Sequence, residues 1–255
     1  MDSLAPMTTP AASREMPRPS TDTNAKRAAK VADRIVEDVM AMGWPVGEVL
    51  GSEADLLERY QVSRAVFREA VRLLEHHGLA EMRRGLHGGL FIRQPDPEPV
   101  AKAMAVYLDF EKVEPRQLED ARLAIEVVCV ERVAARISED DVAEVRAFLA
   151  AEEARIASGR AQSLHDFHVL MARLTANPAL HLFVQTLTDL TQRQQQPVPD
   201  RSRRSLEEIH AAHVGIAEAI IARDGALARH RMMTHLEDVA FDQQCTYAGW
   251  SVAQL

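Results

Sequence analysis

The sequence has few of the features that mark secreted or membrane proteins. Only two cysteines occur in 255 residues, and Cys129 and Cys245 are too far apart to form a metal-binding or redox motif. We expect both thiols to be reduced and buried, since free cysteines behave as small hydrophobic residues. No run approaches the roughly 18 apolar residues that cross a bilayer, and the N-terminus lacks the apolar core of a secretion signal. These absences predict a cytoplasmic protein with no membrane partner.

Aromatic residues are also scarce, at 5% of the chain, and strand-forming runs are few. Alanine, leucine, glutamate and arginine dominate, and these residues favour helices. The length exceeds that of a usual single domain. We therefore predict a mainly α protein with two domains. Residues 1–24 are rich in Pro, Ser and Thr and are predicted to be a disordered tail, and residues 246–255 a second tail.

The net charge of −8 disfavours a nucleic-acid partner until it is divided along the chain. Residues 25–94 contain 11 Lys and Arg against 10 Asp and Glu, whereas residues 95–255 contain 17 against 25. The acidic excess thus belongs to the C-terminal part. A phosphate backbone responds to the local potential within a Debye length, so the N-terminal part can still present a basic face to DNA.

Residues 25–94 follow the pattern of three helices and a hairpin. Apolar residues recur at helical spacing over 26–42, Ser52 is a candidate cap for a helix over 53–60, and Ser63 is one for a third helix that ends near Gly78. Two short extended runs, LAEMRR and GGLFIR, then flank GLHGG. This order predicts a winged helix-turn-helix, closed by the proline-containing linker 95–100.

One face of the third predicted helix is basic. Arg64, Arg68 and Arg72 recur every four residues, which places them on one side of a helix. A helix fits the major groove, and arginine binds both phosphate and the guanine edge. A solvated face on which Arg72 pairs with Glu69 or Glu75 is the alternative. Arg83, Arg84 and the glycine-rich tip of the predicted wing add a second set of hydrogen-bond donors beside this helix, which favours DNA binding over a solvated face. The predicted DNA-binding residues are Ser63, Arg64, Arg68, Arg72, Arg83, Arg84, His87 and Gly88.

The C-terminal part, 101–245, contains only helical patterns, over 99–110, 115–136, 139–158, 161–175, 178–195, 203–223 and 225–245. His168, His213 and His235 each lie within an apolar stripe and are predicted to point inward. A single inward histidine is usually a hydrogen-bonded core residue. Three from different helices of one bundle can converge, and imidazole nitrogen suits zinc or nickel. A polar pocket for an organic ligand without metal is the other interpretation.

The segment SEADLLERYQVSRAVFREAVRLLEHHGLAEMRRGLHGGLFI resembles the DNA-binding domain of the GntR family of bacterial regulators. The shared features are the acidic helix start, the VSR turn, an arginine one turn later and the glycine-rich wing. This resemblance implies a homodimer that binds a palindromic operator in double-stranded DNA. Ala54 departs from it, because relatives usually carry an arginine at this position.

Residues from about 100 to 240 resemble the FCD effector domain of the FadR subfamily, an all-α bundle. The matching residues are Arg122 and Glu126 in RLAIE, the DFH motif, Asn177 in LTANP, His213 and His235. The resemblance implies that His168, His213 and His235 bind a divalent metal. It also implies that Arg122, Glu126 and Asn177 contribute to binding a small carboxylate effector. Leu164 stands where many relatives have aspartate. His165, His210 and His230 are predicted to lie at the surface or behind the ligands.

The leading hypothesis is a ligand-responsive transcriptional regulator, with repression as the expected mode. A metal-dependent enzyme using the buried histidines is one alternative. The sequence contains no His-Glu-x-x-His spacing, nucleophile elbow or phosphate-binding glycine loop that would favour it. A DNA-binding architectural protein without a ligand is the other alternative.

Overall fold

The computed structural model describes residues 21–85, 88–160, 164–194 and 203–243. The predicted tail 246–255, Cys245, His87 and most of the predicted tail 1–24 lie outside these residues. The chain divides into two compact units between residues 96 and 97. In the part of the chain that the structure describes, no helix is both long enough and apolar enough to cross a membrane.

The N-terminal unit has three helices and a small antiparallel sheet. Its elements are α1 (Thr21–Ala41), β1 (Val49–Gly51), α2 (Glu53–Tyr60), α3 (Arg64–His76), β2 (Ala80–Arg83) and β3 (Gly89–Ile92). The strand order is β1-β3-β2, so β3 pairs with both neighbours. The core includes Ile35, Phe67, Leu74 and Leu90, each at most 2% exposed. Burial of these apolar side chains joins the helices to the sheet.

Two details of this unit differ from the sequence-based expectation. Helix α1 begins at Thr21, inside the segment predicted to be a tail, and β1 was not predicted. Three residues are too few for period-two alternation to be visible. Strand β1 exists because it pairs with the wing hairpin, Val49 opposite Phe91 and Gly51 opposite Leu90.

The C-terminal unit is entirely helical over the residues described. Its helices are α4 (Glu98–Phe110), α5 (Pro115–Arg136), α6 (Glu139–Ala157), α7 (Asp166–Leu174), α8 (Pro178–Gln194), α9 (Arg203–Ile221) and α10 (Gly225–Gln243). Helix α5 is central, since it packs against α7, α8, α9 and α10. Buried Val130, Phe167, Ile216 and Met232 form part of one core. The predicted mainly α class, with a winged helix-turn-helix followed by an all-α bundle, is confirmed.

One helix boundary was predicted wrongly. The sequence pattern placed a helix over 161–175, whereas α7 starts at Asp166. Leu164 lies outside any helix and packs with Ile156 and Leu206 in a separate apolar cluster. An apolar residue buried in a connecting segment looks the same in sequence as the first residue of an amphipathic helix, which explains the error.

Candidate DNA interface and candidate metal centre

Capping residues fix the two helices of the helix-turn-helix. The Ser52 side chain accepts a hydrogen bond from the backbone N–H of Asp55, and the Asp55 carboxylate accepts from the Ser52 backbone. Ser63 caps α3 by accepting from the N–H of Val66. The turn between the helices uses Gln61 in the left-handed conformation, φ +54°. Ser63, predicted to bind DNA, thus also sets the position at which α3 begins.

The three arginines of α3 are exposed but paired with carboxylates. Arg68 donates from Nε to Glu53 Oε1 at 3.0 Å, and Arg64 Nε lies 3.6 Å from the same oxygen. Arg72 donates from Nη1 to Glu69 at 3.0 Å, the pair that the sequence suggested as an alternative to DNA contact. The hydrogen bond from Arg68 lowers the pKa of Glu53, and burial, which raises this pKa, offsets only part of the effect. The face therefore carries both cations and the acids that orient them.

The wing places further cations beside α3. Arg83 lies over the Phe91 ring, 4.3 Å from its centroid, and donates to Glu81. The tip needs glycine at Gly88, because a Cβ there would lie 2.5 Å from the Arg83 carbonyl oxygen. Arg68, Arg72, Arg83, Arg84 and Gly88 line one open groove between α3 and the wing, with a volume of about 550 Å³. Such a groove can receive a phosphate backbone or a base edge.

In the C-terminal unit, α7, α9 and α10 bring His168, His213 and His235 together. All three are buried, and one ring nitrogen of each lies within 4.8 Å of those of the other two. The Nε2 atoms of His168 and His235 are 3.4 Å apart. The predicted convergence of these three histidines is therefore present in the structure.

Two buried glutamates orient these rings from behind. Glu126 of α5 hydrogen-bonds Nδ1 of His168. Glu152 of α6 lies 3.1 Å from Nδ1 of His213 and 2.7 Å from Nδ1 of His210. A carboxylate at Nδ1 selects the tautomer whose Nε2 carries the lone pair. Within the described residues Nε2 of His213 is buried and has no hydrogen-bond partner, as expected of a nitrogen that binds a metal.

The protonation states suit metal binding. Burial lowers the pKa of His213 to about 4, against the opposing effect of Glu152. Burial and the neighbouring histidines lower the pKa of His235 to about 2. Burial raises the pKa of Glu126, but the charges of Arg122 and His168 and the hydrogen bonds from both together outweigh burial and lower this pKa to about 2. At neutral pH His213 and His235 are thus neutral, the form that coordination requires. Glu126 is an anion that can accept a hydrogen bond from Nδ1 of His168.

Of the predicted effector residues, Arg122 lines a cavity beside the histidines and Asn177 does not. Arg122 is 1% exposed and hydrogen-bonds both Glu119 and Glu126. It lines a small cavity beside His168 and His235. Asn177 is not among the residues that line this cavity. Its amide oxygen accepts from the backbone of Ala179 and Leu180 and so caps α8.

The cavity has a mainly apolar wall, in which Leu164 occupies the position of the expected aspartate. The lining residues are Arg122, Leu164, His165, His168, Ile209, His235, Leu236 and Val239. His165 is buried here, whereas His230 is exposed. His210 lies behind His213, as one of the two histidines that share Glu152.

Sequence reasoning missed Glu119 and Glu152. Glu152 is fully buried, on the same side of α6 as Val145 and Ile156. An acid in register with an apolar stripe was the available signal, because a buried carboxylate requires a partner. Cys129 is buried and free, as expected, and burial raises the pKa of its thiol to about 12.

Comparisons with known proteins agree with this architecture. Residues 27–90 match the family model described as bacterial regulatory proteins, gntR family. Residues 117–238 match the FCD domain. The two matches fall in the two compact units.

Individual relatives cover most of the chain. The HTH-type transcriptional regulator LutR of Bacillus subtilis is 28% identical over 76% of this chain and 90% of its own length. The Exu regulon transcriptional regulator of Escherichia coli is 29% identical over 83% and 80%, and its Uxu operon transcriptional regulator 29% over 85% and 87%. A solved structure, Streptococcus agalactiae GntR, shares the fold with a TM-score of 0.59 at 23% identity, over 83% of this chain and 98% of that one.

Proposed function

The chain belongs to the GntR family of bacterial regulatory proteins and carries an FCD domain, and from this premise we propose that it is a metal-dependent, carboxylate-responsive repressor. It is a transcriptional regulator, because its relatives and both matched domains are those of regulators. For the same reason it is not an enzyme.

The observation that carries the proposal is the arrangement of the three buried histidines. Three imidazoles from three helices converge, and carboxylates behind two of them direct Nε2 inward. Three histidines suit zinc or nickel and leave open coordination positions. A bound divalent ion supplies positive charge that attracts an anionic ligand. The residues present therefore fit a divalent metal.

The effector is proposed to be a small organic acid. Arg122 supplies a buried cation beside the histidines, and arginine binds carboxylates through a planar fork. Glu126 fixes that guanidinium through Nε. Leu164 in place of an acid leaves one negative charge fewer at this end of the cavity, which favours an incoming anion. Asn177 caps α8 and does not line this cavity, and its contribution to effector binding stays a prediction.

The DNA contact is assigned to α3 and the wing, with Ser63, Arg64, Arg68, Arg72, Arg83, Arg84, His87 and Gly88 as its residues. A homodimer presents two such surfaces and so matches a palindromic operator. Effector binding releases DNA only if the two dimer arrangements differ in effector affinity. Repression relieved by the ligand is the mode we propose.

One experiment tests these points together. Binding of the full-length protein to its own upstream DNA is measured by gel shift with zinc or nickel, with a chelator, and with a panel of short mono- and dicarboxylates. We expect one or more carboxylates to release the DNA only when metal is present, and metal analysis to give one ion per chain. Release that persists after complete metal removal would exclude the metal. Specific binding that no carboxylate alters would favour an architectural protein instead.

A further inference from the structure

Glu53 occupies a defined place between the two helices of the helix-turn-helix. It is the first residue of α2, and the reciprocal hydrogen bonds of Ser52 and Asp55 fix the backbone there. Its Oε1 accepts from Nε of Arg68 at 3.0 Å and lies 3.6 Å from Nε of Arg64. One carboxylate oxygen on α2 therefore hydrogen-bonds one arginine of α3 and forms an ion pair with a second.

The way in which each arginine is paired decides what it can still bind. Glu53 engages Arg68 at Nε through a hydrogen bond and Arg64 at Nε through an ion pair, so the Nη1 and Nη2 edges of both make no protein hydrogen bond within the described residues. Their side chains are 67% and 62% exposed. Arg72 uses Nη1 for Glu69, and Arg83 uses Nη2 for Glu81. The terminal edge, which forks onto O6 and N7 of guanine, is thus available in Arg64 and Arg68 and partly occupied in Arg72 and Arg83.

A carboxylate on a DNA-facing surface also has a cost. It repels phosphate and so lowers the affinity for every DNA sequence alike. An orienting contact can offset this cost only where orientation matters, which is at a base edge. Phosphate can be bound from many directions, so an arginine that only binds phosphate gains little from being fixed.

We propose that Glu53 is a positioning residue for sequence specificity: it orients Arg68 and Arg64 to read guanine, at the expense of non-specific affinity. Arg72 and Arg83 then bind phosphate. This inference rests on the DNA-binding role assigned above to α3. It goes beyond that role by separating the arginines that read bases from those that do not.

The test compares specific and non-specific DNA binding in three variants of the full-length protein. Wild-type protein first selects duplexes from a randomised library, and the enriched duplex serves as the specific probe against a scrambled duplex of equal length. For Glu53→Gln we expect tighter binding to the scrambled duplex and a specificity ratio lower by roughly 5- to 30-fold. For Glu53→Asp, which keeps the charge but shortens the reach, we expect a lower ratio without the gain in non-specific binding.

Glu69→Gln is the matched control, because it removes an equal charge from α3 and a hydrogen bond from Arg72. It should strengthen binding to both duplexes equally and leave the ratio unchanged. Library selection with Glu53→Gln should also recover fewer invariant guanines than wild type. A Glu53→Gln protein that folds normally and keeps the wild-type ratio would overturn the inference while leaving the proposed function intact. A wild-type protein that enriches no DNA sequence would contradict both this inference and the proposed function.

Discussion

Two buried glutamates determine which ring nitrogen His168 and His213 leave free to bind a ligand. Glu126 and Glu152 hydrogen-bond Nδ1 of His168 and His213, which leaves Nε2 of each ring for a ligand. Such carboxylates raise the basicity of a ligand and hold its ring in place. We therefore expect the glutamates to affect metal affinity although neither is expected to contact the ion.

Replacement of Glu152 tests this role. Glu152→Gln removes the charge behind His213 and His210, and we expect zinc and nickel affinity to fall by about 10- to 100-fold. A titration against a chromophoric chelator measures the change. Glu153→Gln, an exposed neighbour on the same helix, should leave metal affinity at the wild-type value. Equal affinity in both variants would contradict the orienting role.

Leu164 is the residue at which the cavity beside His168 and His235 departs from the pattern expected from the FCD resemblance, which has aspartate here. It is 3% exposed, and it lines the same cavity as His168 and His235. Leu164→Asp should tighten metal binding by adding an anionic oxygen ligand. It should also lower the free energy of unfolding of the metal-free protein by about 3 kcal/mol or more, since a buried carboxylate replaces a packed side chain.

Leu164→Asn separates charge from packing in this test. Asparagine has the size of aspartate and disrupts the apolar cluster similarly, but it adds no negative charge. Chelator competition and urea unfolding are measured on both variants. If Leu164→Asp binds metal no better than Leu164→Asn, the side chain at this position does not reach the ion.

At the scale of elements, the wing hairpin depends on glycine for its shape. The Gly88 N–H donates to the Gly85 carbonyl at 2.9 Å, and Gly85 has φ +116°. A Cβ on residue 88 would meet the carbonyls of Arg83 and Gly85 at under 3 Å. The backbone must shift if that position carries a side chain.

Gly88→Ala should therefore displace the wing and weaken DNA binding. We expect a loss of about 1 to 3 kcal/mol in operator binding, the scale of one lost base contact. Thermal unfolding and metal affinity of the C-terminal unit should not change. Fluorescence anisotropy with a labelled operator measures the effect. Gly159→Ala gives a control of the same substitution type at a positive-φ position in the other unit. Undiminished DNA binding by Gly88→Ala would remove the wing tip from the interface.

Long periodic helices were predictable from sequence, and short or irregular elements were not. Helices α5, α6 and α9 each repeat an apolar stripe over several turns, so their bounds are close to those expected. Strand β1 owes its existence to pairing with β3, in which Val49 lies opposite Phe91 and Gly51 opposite Leu90. No local sequence pattern reveals a partner so far along the chain. The same holds for the site: inward histidines are visible in a stripe, but the pairing of Glu152 with His213 depends on how α6 packs against α9.

At the scale of the whole molecule, the chain combines two units with separate cores and different charge. The N-terminal unit presents its cations on α3 and the wing, and the acidic excess belongs to the C-terminal part. An effector can regulate DNA binding only through a free energy of coupling between the units, and that coupling is reciprocal. The effect of metal alone on the stability of each unit therefore shows whether this coupling needs an effector.

Metal binding should stabilise the C-terminal unit selectively. At a metal concentration of about 100 times Kd, linkage adds about 2.7 kcal/mol to the stability of the state that binds it. Amides of α5, α7, α9 and α10 that exchange by unfolding of this unit should then exchange about 100-fold more slowly. Hydrogen exchange measured by mass spectrometry, with zinc and with a chelator, resolves the two units in one sample. His213→Ala should abolish the protection. Equal protection of α3 and the wing from hydrogen exchange would mean that metal alone, without an effector, already couples the histidine cluster to the DNA-binding surface.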